Sequence, residues 1–77
     1  MSADTSHPPL SPEACRAARA ILRWSVADLV HEANVSPNSV QKIESGDPVR
    51  QTTVDRIISA FKRNGVETVG YGAQRKR

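Results

Sequence analysis

Cysteine, histidine and aromatic residues are scarce in this chain, and their scarcity argues against several classes of function. The single cysteine, Cys15, cannot form a disulfide within the chain, and with only two separated histidines it cannot complete a zinc site at the usual ligand spacing. No glycine-rich loop suited to binding phosphates is present. We therefore expect no enzymatic activity, no metal and no cofactor. Because Cys15 shares an apolar helical face with Ala18 and Leu22, it is interpreted as a structural thiol.

Long apolar runs are absent as well. No stretch approaches the roughly 18 consecutive apolar residues of a membrane span, and no signal peptide precedes the first helical pattern. We expect a cytoplasmic protein that has no membrane partner. A chain of 77 residues makes one small domain. Because such a domain has a small core, a homodimer would add useful burial.

Serine residues mark the starts of three predicted helices. Ser11 and Ser36 are each followed by proline, whose missing N–H is harmless at the first helical position. Ser25 has Asp28 three residues later, which completes a capping box. A fourth helix is predicted to begin with a capping box of Thr52 and Asp55. The expected core is aliphatic apart from the aromatic anchors Trp24 and Phe61, and it contains Leu22, Leu29, Val40, Ile43, Ile57 and Phe61.

The end of the chain predicts an extended segment. Asn64-Gly65 should terminate the fourth helix, and residues 66–69 alternate like a strand that either pairs with its copy in a second subunit or folds back on its own chain. The expected organisation is a flexible N-terminal arm at residues 1–9, a folded domain at residues 10–69 and a flexible basic tail at residues 70–77. The predicted fold class is all-α, a small bundle of four to five helices with a short extended C-terminal segment.

The stretch from Ser25 to Gly46 carries the most information, because it predicts two short capped helices joined by a tight turn at helix-turn-helix spacing. Asn34 tolerates the left-handed backbone that reverses the chain, and Gly46 is placed to close the second helix. The pattern turns Val40 and Ile43 inward. It leaves the following side chains outside: Ser39, Gln41, Lys42 and Ser45.

This pattern resembles the helix-turn-helix proteins of the phage repressor and Cro-like (XRE) family over roughly residues 10–69. The residues that carry the resemblance are Arg19, Leu22, Trp24-Ser25, Asp28-Leu29, Ala33-Asn34-Val35-Ser36, Val40, Ile43-Glu44-Ser45-Gly46 and Gly65-Val66-Glu67. The chain departs from the family at Val26, where relatives usually have a glutamine that contacts a phosphate. The resemblance also implies an ion pair between Arg19 and Glu44 that ties the first helix to the recognition helix.

The resemblance implies double-stranded DNA as a partner and a transcription regulator, expected to be a repressor. The second helix of the motif would enter the major groove, and as a homodimer the protein would bind an inverted repeat with half-sites about one helical turn apart. Asn38 and Gln41 suit adenine, Lys42 suits guanine, and Pro37 suits a thymine methyl group. The remaining expected DNA contacts are Ser25, Ser36, Ser39, Arg75, Lys76 and Arg77.

The charge distribution leaves a second function open. Residues 25–47 carry one lysine against four carboxylates, a net charge of −3, whereas residues 62–77 carry five basic groups against one carboxylate, a net charge of +4. Phosphate attraction would therefore come from the flanks, including Arg16, Arg19 and Arg23 of the first helix, rather than from the motif. The alternative is a protein-binding adaptor, such as an antitoxin-like or antiactivator module on the same fold.

Overall fold

The computed structural model describes residues 10–75, in which four helices are followed by a two-stranded antiparallel hairpin. In chain order the elements are α1 (Pro12–Leu22), α2 (Val26–Ala33), α3 (Pro37–Glu44), α4 (Gln51–Arg63), β1 (Val66–Val69) and β2 (Gly72–Arg75). The protein is small and mostly helical, but the hairpin corrects the prediction of an all-α fold. The expected arm at residues 1–9 and the expected DNA contacts Lys76 and Arg77 lie outside the described residues.

The three serine caps are confirmed. The Ser11 Oγ accepts a hydrogen bond from the backbone N–H of Ala14 at 3.0 Å, and the equivalent bonds from Ser25 and Ser36 begin α2 and α3. Asn34 ends α2 with a φ of 56°, in the left-handed region as expected. Local capping chemistry therefore sets the boundaries of the short α2 and the start of α3.

The predicted start of the fourth helix is wrong. Helix α4 begins at Gln51, with Arg50 as an N-cap residue that makes no side-chain capping bond. Thr52 thus lies inside the first turn, and Asp55 accepts a hydrogen bond from the Gln51 side chain at 3.1 Å. The helix ends at Arg63, followed by Asn64 and Gly65 as predicted.

The core lies between the helices and is largely the predicted one. Leu29, Val40, Ile57 and Phe61 are fully buried, and Ile43 is nearly so. Leu22 is only partly buried, which corrects its assignment to the core: it is the last residue of α1, where the chain reverses through Arg23 at a φ of 58°. Further buried residues not on the predicted list are Leu10, Ala14, Cys15, Ala18, Ala33, Val54, Ala60 and Val66.

The hairpin replaces most of the expected flexible tail. Strand β1 pairs with β2 of the same chain in the register Val66 to Arg75 and Val69 to Gly72, so the segment folds back rather than pairing as a lone strand. Both strands pack against α1. Two bonds hold the hairpin along that helix, from the Ser11 Oγ to the Gly70 carbonyl at 3.0 Å and from Arg75 Nη2 to the Ile21 carbonyl at 2.9 Å. None of the helices within residues 10–75 is long and apolar enough to cross a membrane.

Candidate nucleic-acid interface

Helix α3 presents a polar face to solvent. Val40 and Ile43 bury the opposite face, and the helical period then leaves Asn38, Gln41 and Lys42 exposed. Pro37, at the first helical position, is exposed as well. Amide and ammonium groups on one exposed helical face are able to form hydrogen bonds with base edges or with another protein.

The start of α3 joins the two serines that were expected to contact phosphates. The Ser36 Oγ accepts from the backbone N–H of Ser39 at 3.2 Å, and the two hydroxyl oxygens lie 2.9 Å apart. Ser36 is exposed and Ser39 is half-buried. Each hydroxyl retains a lone pair or a proton for a further partner, because one bond between them uses only part of their capacity.

The end of α3 is attached to α1 by an ion pair, as the resemblance implied. Arg19 Nε lies 2.7 Å from Glu44 Oε2, and Arg19 Nη2 lies 2.8 Å from Oε1, so the guanidinium contacts both carboxylate oxygens. The two side chains are only 18% and 13% exposed. A bidentate ion pair that is this buried orients α3 as well as stabilising it, because the two parallel hydrogen bonds allow the side chains little rotation.

The same contacts shift the pKa values of three groups. Burial alone would raise the pKa of Glu44, but hydrogen bonds from Arg19 and Cys15 outweigh it and hold that pKa below its ordinary value. The hydrogen bond with Glu44 raises the pKa of Arg19. Burial, followed by the hydrogen bond to Glu44, raises the pKa of the Cys15 thiol well above its ordinary value. The Glu44 carboxylate is therefore ionised and already bound by Arg19 and Cys15, and Cys15 remains a neutral thiol.

Several arginines donate to carbonyl oxygens at or near the ends of helices. Arg16 Nη1 contacts the Glu44 carbonyl at 2.8 Å, Arg56 Nη1 the Asn34 carbonyl at 3.1 Å and Arg63 Nη2 the Glu32 carbonyl at 2.8 Å. Arg75, expected to contact phosphates from a flexible tail, instead binds the Ile21 carbonyl from β2. Cations favour these positions because unpaired carbonyls give a helix C-terminus partial negative charge.

A cleft borders the exposed face of α3. It has a volume of about 430 Å³ and is lined by Asn38, Ser39, Lys42, Pro48, Val49, Arg50 and Thr53. Arg50 and Thr53 were missed by the sequence analysis, although a cation directly before the fourth helix was a visible signal. Ser25, another expected contact, does not line the cleft and belongs to its capping box with Asp28, whose Oδ2 accepts the Ser25 backbone N–H at 2.9 Å.

The described part of the chain contains no group of three or more His, Cys, Asp or Glu side chains that could hold a metal ion. His31 is exposed on α2. No protein-family model matches the chain, and no curated protein matches it. The geometry around α3 is consequently the main basis for assigning a function.

Proposed function

We propose that the protein is a sequence-specific DNA-binding transcription regulator, a repressor of the helix-turn-helix type related to the phage repressor and Cro-like family. The observation that carries the proposal is the orientation of α3. Its apolar side chains Val40 and Ile43 are buried, its polar side chains Asn38, Gln41 and Lys42 are exposed, and Glu44 at its end is held by Arg19. In this proposal α3 is the recognition helix.

Base recognition is assigned to the exposed face of α3. Asn38 and Gln41 have amide groups that can donate to and accept from adenine at the same time, and the Lys42 ammonium can donate to O6 and N7 of guanine. Each well-formed base contact of this kind discriminates against a wrong base by about 1–3 kcal/mol. Pro37 is the apolar contact for a thymine methyl group.

Phosphate binding is assigned to the cleft beside α3. Arg50 supplies a positive charge there, and Thr53 and Ser39 supply hydroxyl groups. The cleft adjoins the N-terminal turns of both α3 and α4, whose partial positive charge favours phosphate. Arg16, Arg56, Arg63 and Arg75 already donate to carbonyl groups, so they contribute long-range attraction rather than the nearest contacts.

The regulator is proposed to act as a homodimer in the cytoplasm and to have no enzymatic step. Two copies related by a two-fold axis would place their α3 helices in successive major grooves, about 34 Å apart, on an inverted repeat. The small core supports this arrangement, because a domain of this size gains stability from burial between subunits.

A protein-binding adaptor is the second candidate, and the exposed carboxylates favour it. Asp28, Glu32 and Asp47 are exposed close in sequence to the recognition helix, where they would repel phosphates. Such a surface suits a basic protein partner better than it suits DNA. The two candidates differ in one expectation. A sequence-specific DNA-binding protein needs the Asn38 and Lys42 side chains to bind one particular DNA sequence, whereas an adaptor does not.

The test is a selection of bound sequences from random duplex DNA, followed by titration of the winning site and of a scrambled site at two salt concentrations. The DNA upstream of the protein's own gene is the first natural site to titrate. Asn38→Ala and Lys42→Ala should each weaken binding to the selected site by about 1–3 kcal/mol and affect the scrambled site less, because base contacts specify the sequence.

Ser59→Ala is the matched control, because Ser59 is exposed on α4 and does not line the cleft. It should leave both titrations unchanged. If selection yields no preferred sequence, or if both α3 variants bind the selected site as tightly as the parent, the recognition assignment is wrong and the adaptor becomes the better account.

A further inference from the structure

The hairpin turn exposes two large apolar side chains, those of the residues directly before and after Gly70. Tyr71 is 78% exposed and Val69 is 53% exposed, and they are the large hydrophobic residues that residues 10–75 leave in solvent. A single exposed hydrophobic residue is ordinary on a protein surface, but a pair at one protruding turn forms a compact patch. The patch is available for contact with another surface.

This patch is held in a fixed position. Gly70 and Tyr71 form a two-residue turn between β1 and β2, with Gly70 at a φ of 56°, the conformation that type II′ hairpin turns require at this place. The Ser11 hydroxyl accepts from Ala14 and donates to the Gly70 carbonyl, so the turn is attached to the start of α1. The backbone of the turn therefore has little conformational freedom left to lose when Tyr71 meets a partner.

An apolar groove adjoins the patch. It has a volume of about 670 Å³, within the range of pockets that hold drug-sized molecules, and one phenol ring therefore fits easily. Leu10, Ile43, Val49 and Val54 contribute to its walls, and Tyr71 borders it. Among the described residues that line it, Asp47 is the charged one.

We propose that a second copy of this chain docks here, with the Tyr71 of each subunit inserted into the groove of the other. A two-fold symmetric interface must supply both sides of every contact from one surface. This surface has a protruding apolar side chain and an apolar groove next to each other, and the phenol O–H of Tyr71 can donate to the Asp47 carboxylate in the partner groove.

The area supports a reversible dimer. Reciprocal burial of Tyr71 against the groove walls removes less than about 1,000 Å² of surface from solvent, in the range of weak, transient interfaces. The dimer is therefore expected to dissociate on dilution. This property would make DNA binding depend on protein concentration.

The groove also borders the proposed recognition surface. Pro48 and Val49, in the loop between α3 and α4, line both the groove and the cleft beside α3. Docking of a second copy would thus hold the loop from one side while DNA contacts it from the other. This part of the inference rests on the proposed function, whereas the oligomeric state does not.

The first experiment measures the mass of the full-length protein by sedimentation over a concentration series, without DNA. The parent should form a dimer, and Tyr71→Ala should weaken self-association by about 10-fold or more, as expected for an inserted aromatic side chain. Gln74→Ala is the matched control, because Gln74 is exposed on β2 but does not line the groove. A parent that stays monomeric, or a Tyr71→Ala variant that associates like the parent, overturns the proposal.

The second experiment tests insertion by disulfide formation between subunits. A mixture of Val69→Cys and Pro48→Cys proteins, both of which keep Tyr71, should give a cross-linked heterodimer faster than either variant alone gives a homodimer, because Val69 lies at the inserted turn and Pro48 lines the groove. Cys15 does not interfere, since it is fully buried. If Val69→Cys alone cross-links fastest, the turns meet tip to tip and the groove assignment is wrong.

Two further outcomes separate this inference from the proposed function. If the parent is a dimer, Tyr71→Ala makes it monomeric and no preferred DNA sequence is bound, the proposed interface is supported and the proposed DNA recognition is wrong. A monomer that binds its selected site through Asn38 and Lys42 overturns the interface and the proposed homodimer but supports the assignment of base recognition to α3. If deletion of residues 2–9 increases association, the N-terminal segment competes for the groove and the second copy is not its main occupant.

Discussion

The thiol of Cys15 donates a hydrogen bond to Glu44 Oε2 across 3.1 Å, and this same oxygen accepts the Nε–H of Arg19. The contact joins α1 to the end of α3 inside the domain. Cys15 is fully buried, so the bond replaces solvent as the partner of one carboxylate oxygen. The orientation of α3 therefore depends on a small polar cluster at the edge of an otherwise apolar core.

The burial of Cys15 predicts a thiol that does not react in the folded protein. Because burial and the Glu44 hydrogen bond raise its pKa, little thiolate forms and reagents have no access. A chromogenic disulfide reagent should react with native protein about 100-fold or more slowly than with protein in concentrated urea. In Tyr71→Cys, whose new thiol takes an exposed position, one of two thiols should react at once. A rapid native reaction of Cys15 would contradict the buried cluster.

The Arg19–Glu44 pair predicts a loss of stability in acid. Its environment lowers the pKa of Glu44 in the folded state, so its stabilisation is complete above the ordinary value of 4.5 and is lost as the pH falls through the lower folded value. Glu44→Gln should lower the free energy of unfolding at pH 7 by about 1–3 kcal/mol.

Urea titrations between pH 3 and pH 7 measure both effects. The parent should lose stability on acidification through this range more steeply than Glu44→Gln does, because glutamine does not titrate. Glu67→Gln is the control for the removal of one carboxylate elsewhere in the chain. Parallel pH profiles for the parent and Glu44→Gln would show that the pair does not contribute as described.

Local signals predicted the helices well because their causes lie within a few residues. The caps at Ser11, Ser25 and Ser36 bond to backbone groups three residues away, and no distant partner is needed. Thr52 carried an equally good local signal that was not used. There the packing of Val54 and Ile57 sets the helix face, and α4 begins at Gln51, one residue before the expected cap Thr52.

The hairpin could not be predicted from local pattern, because distant contacts hold it. Strand β2 has no apolar alternation, and its bonds to α1 join residues 59 and 54 positions apart in sequence. The outward face of α3 was predicted, since helical periodicity determines it. The cleft beside α3 was not predicted, because Arg50 and Thr53 approach Lys42 only after the loop at Pro48 has turned the chain.

The position of Ile43 predicts a large cost for its truncation. Its side chain is 3% exposed and belongs to the core cluster between the helices. Ile43→Ala should lower the free energy of unfolding by about 2–4 kcal/mol through lost burial and the remaining cavity. Gln41→Ala, on the exposed face of the same helix, should change it by less than about 0.5 kcal/mol. Similar denaturation midpoints for the two variants would mean that the facing of α3 is wrong.

The last prediction distinguishes phosphate contacts from the general effect of charge. Arg50 and Lys62 are both exposed and lie near opposite ends of α4, a helix about 20 Å long, but only Arg50 lines the cleft beside α3. Arg50→Gln and Lys62→Gln remove the same charge. If Arg50 contacts a phosphate, Arg50→Gln should reduce the slope of log affinity against log salt concentration by about one unit, on selected and scrambled DNA alike.

Lys62→Gln should leave that slope nearly unchanged, because a charge beyond the Debye length of about 10 Å is largely screened at 0.1 M salt. The measurement is a fluorescence anisotropy titration at four or more salt concentrations for each variant. Equal slopes for the two variants would place Arg50 away from the phosphates. The cleft would then be excluded from the DNA interface, while the assignment of Asn38 and Lys42 would still rest on their own titrations.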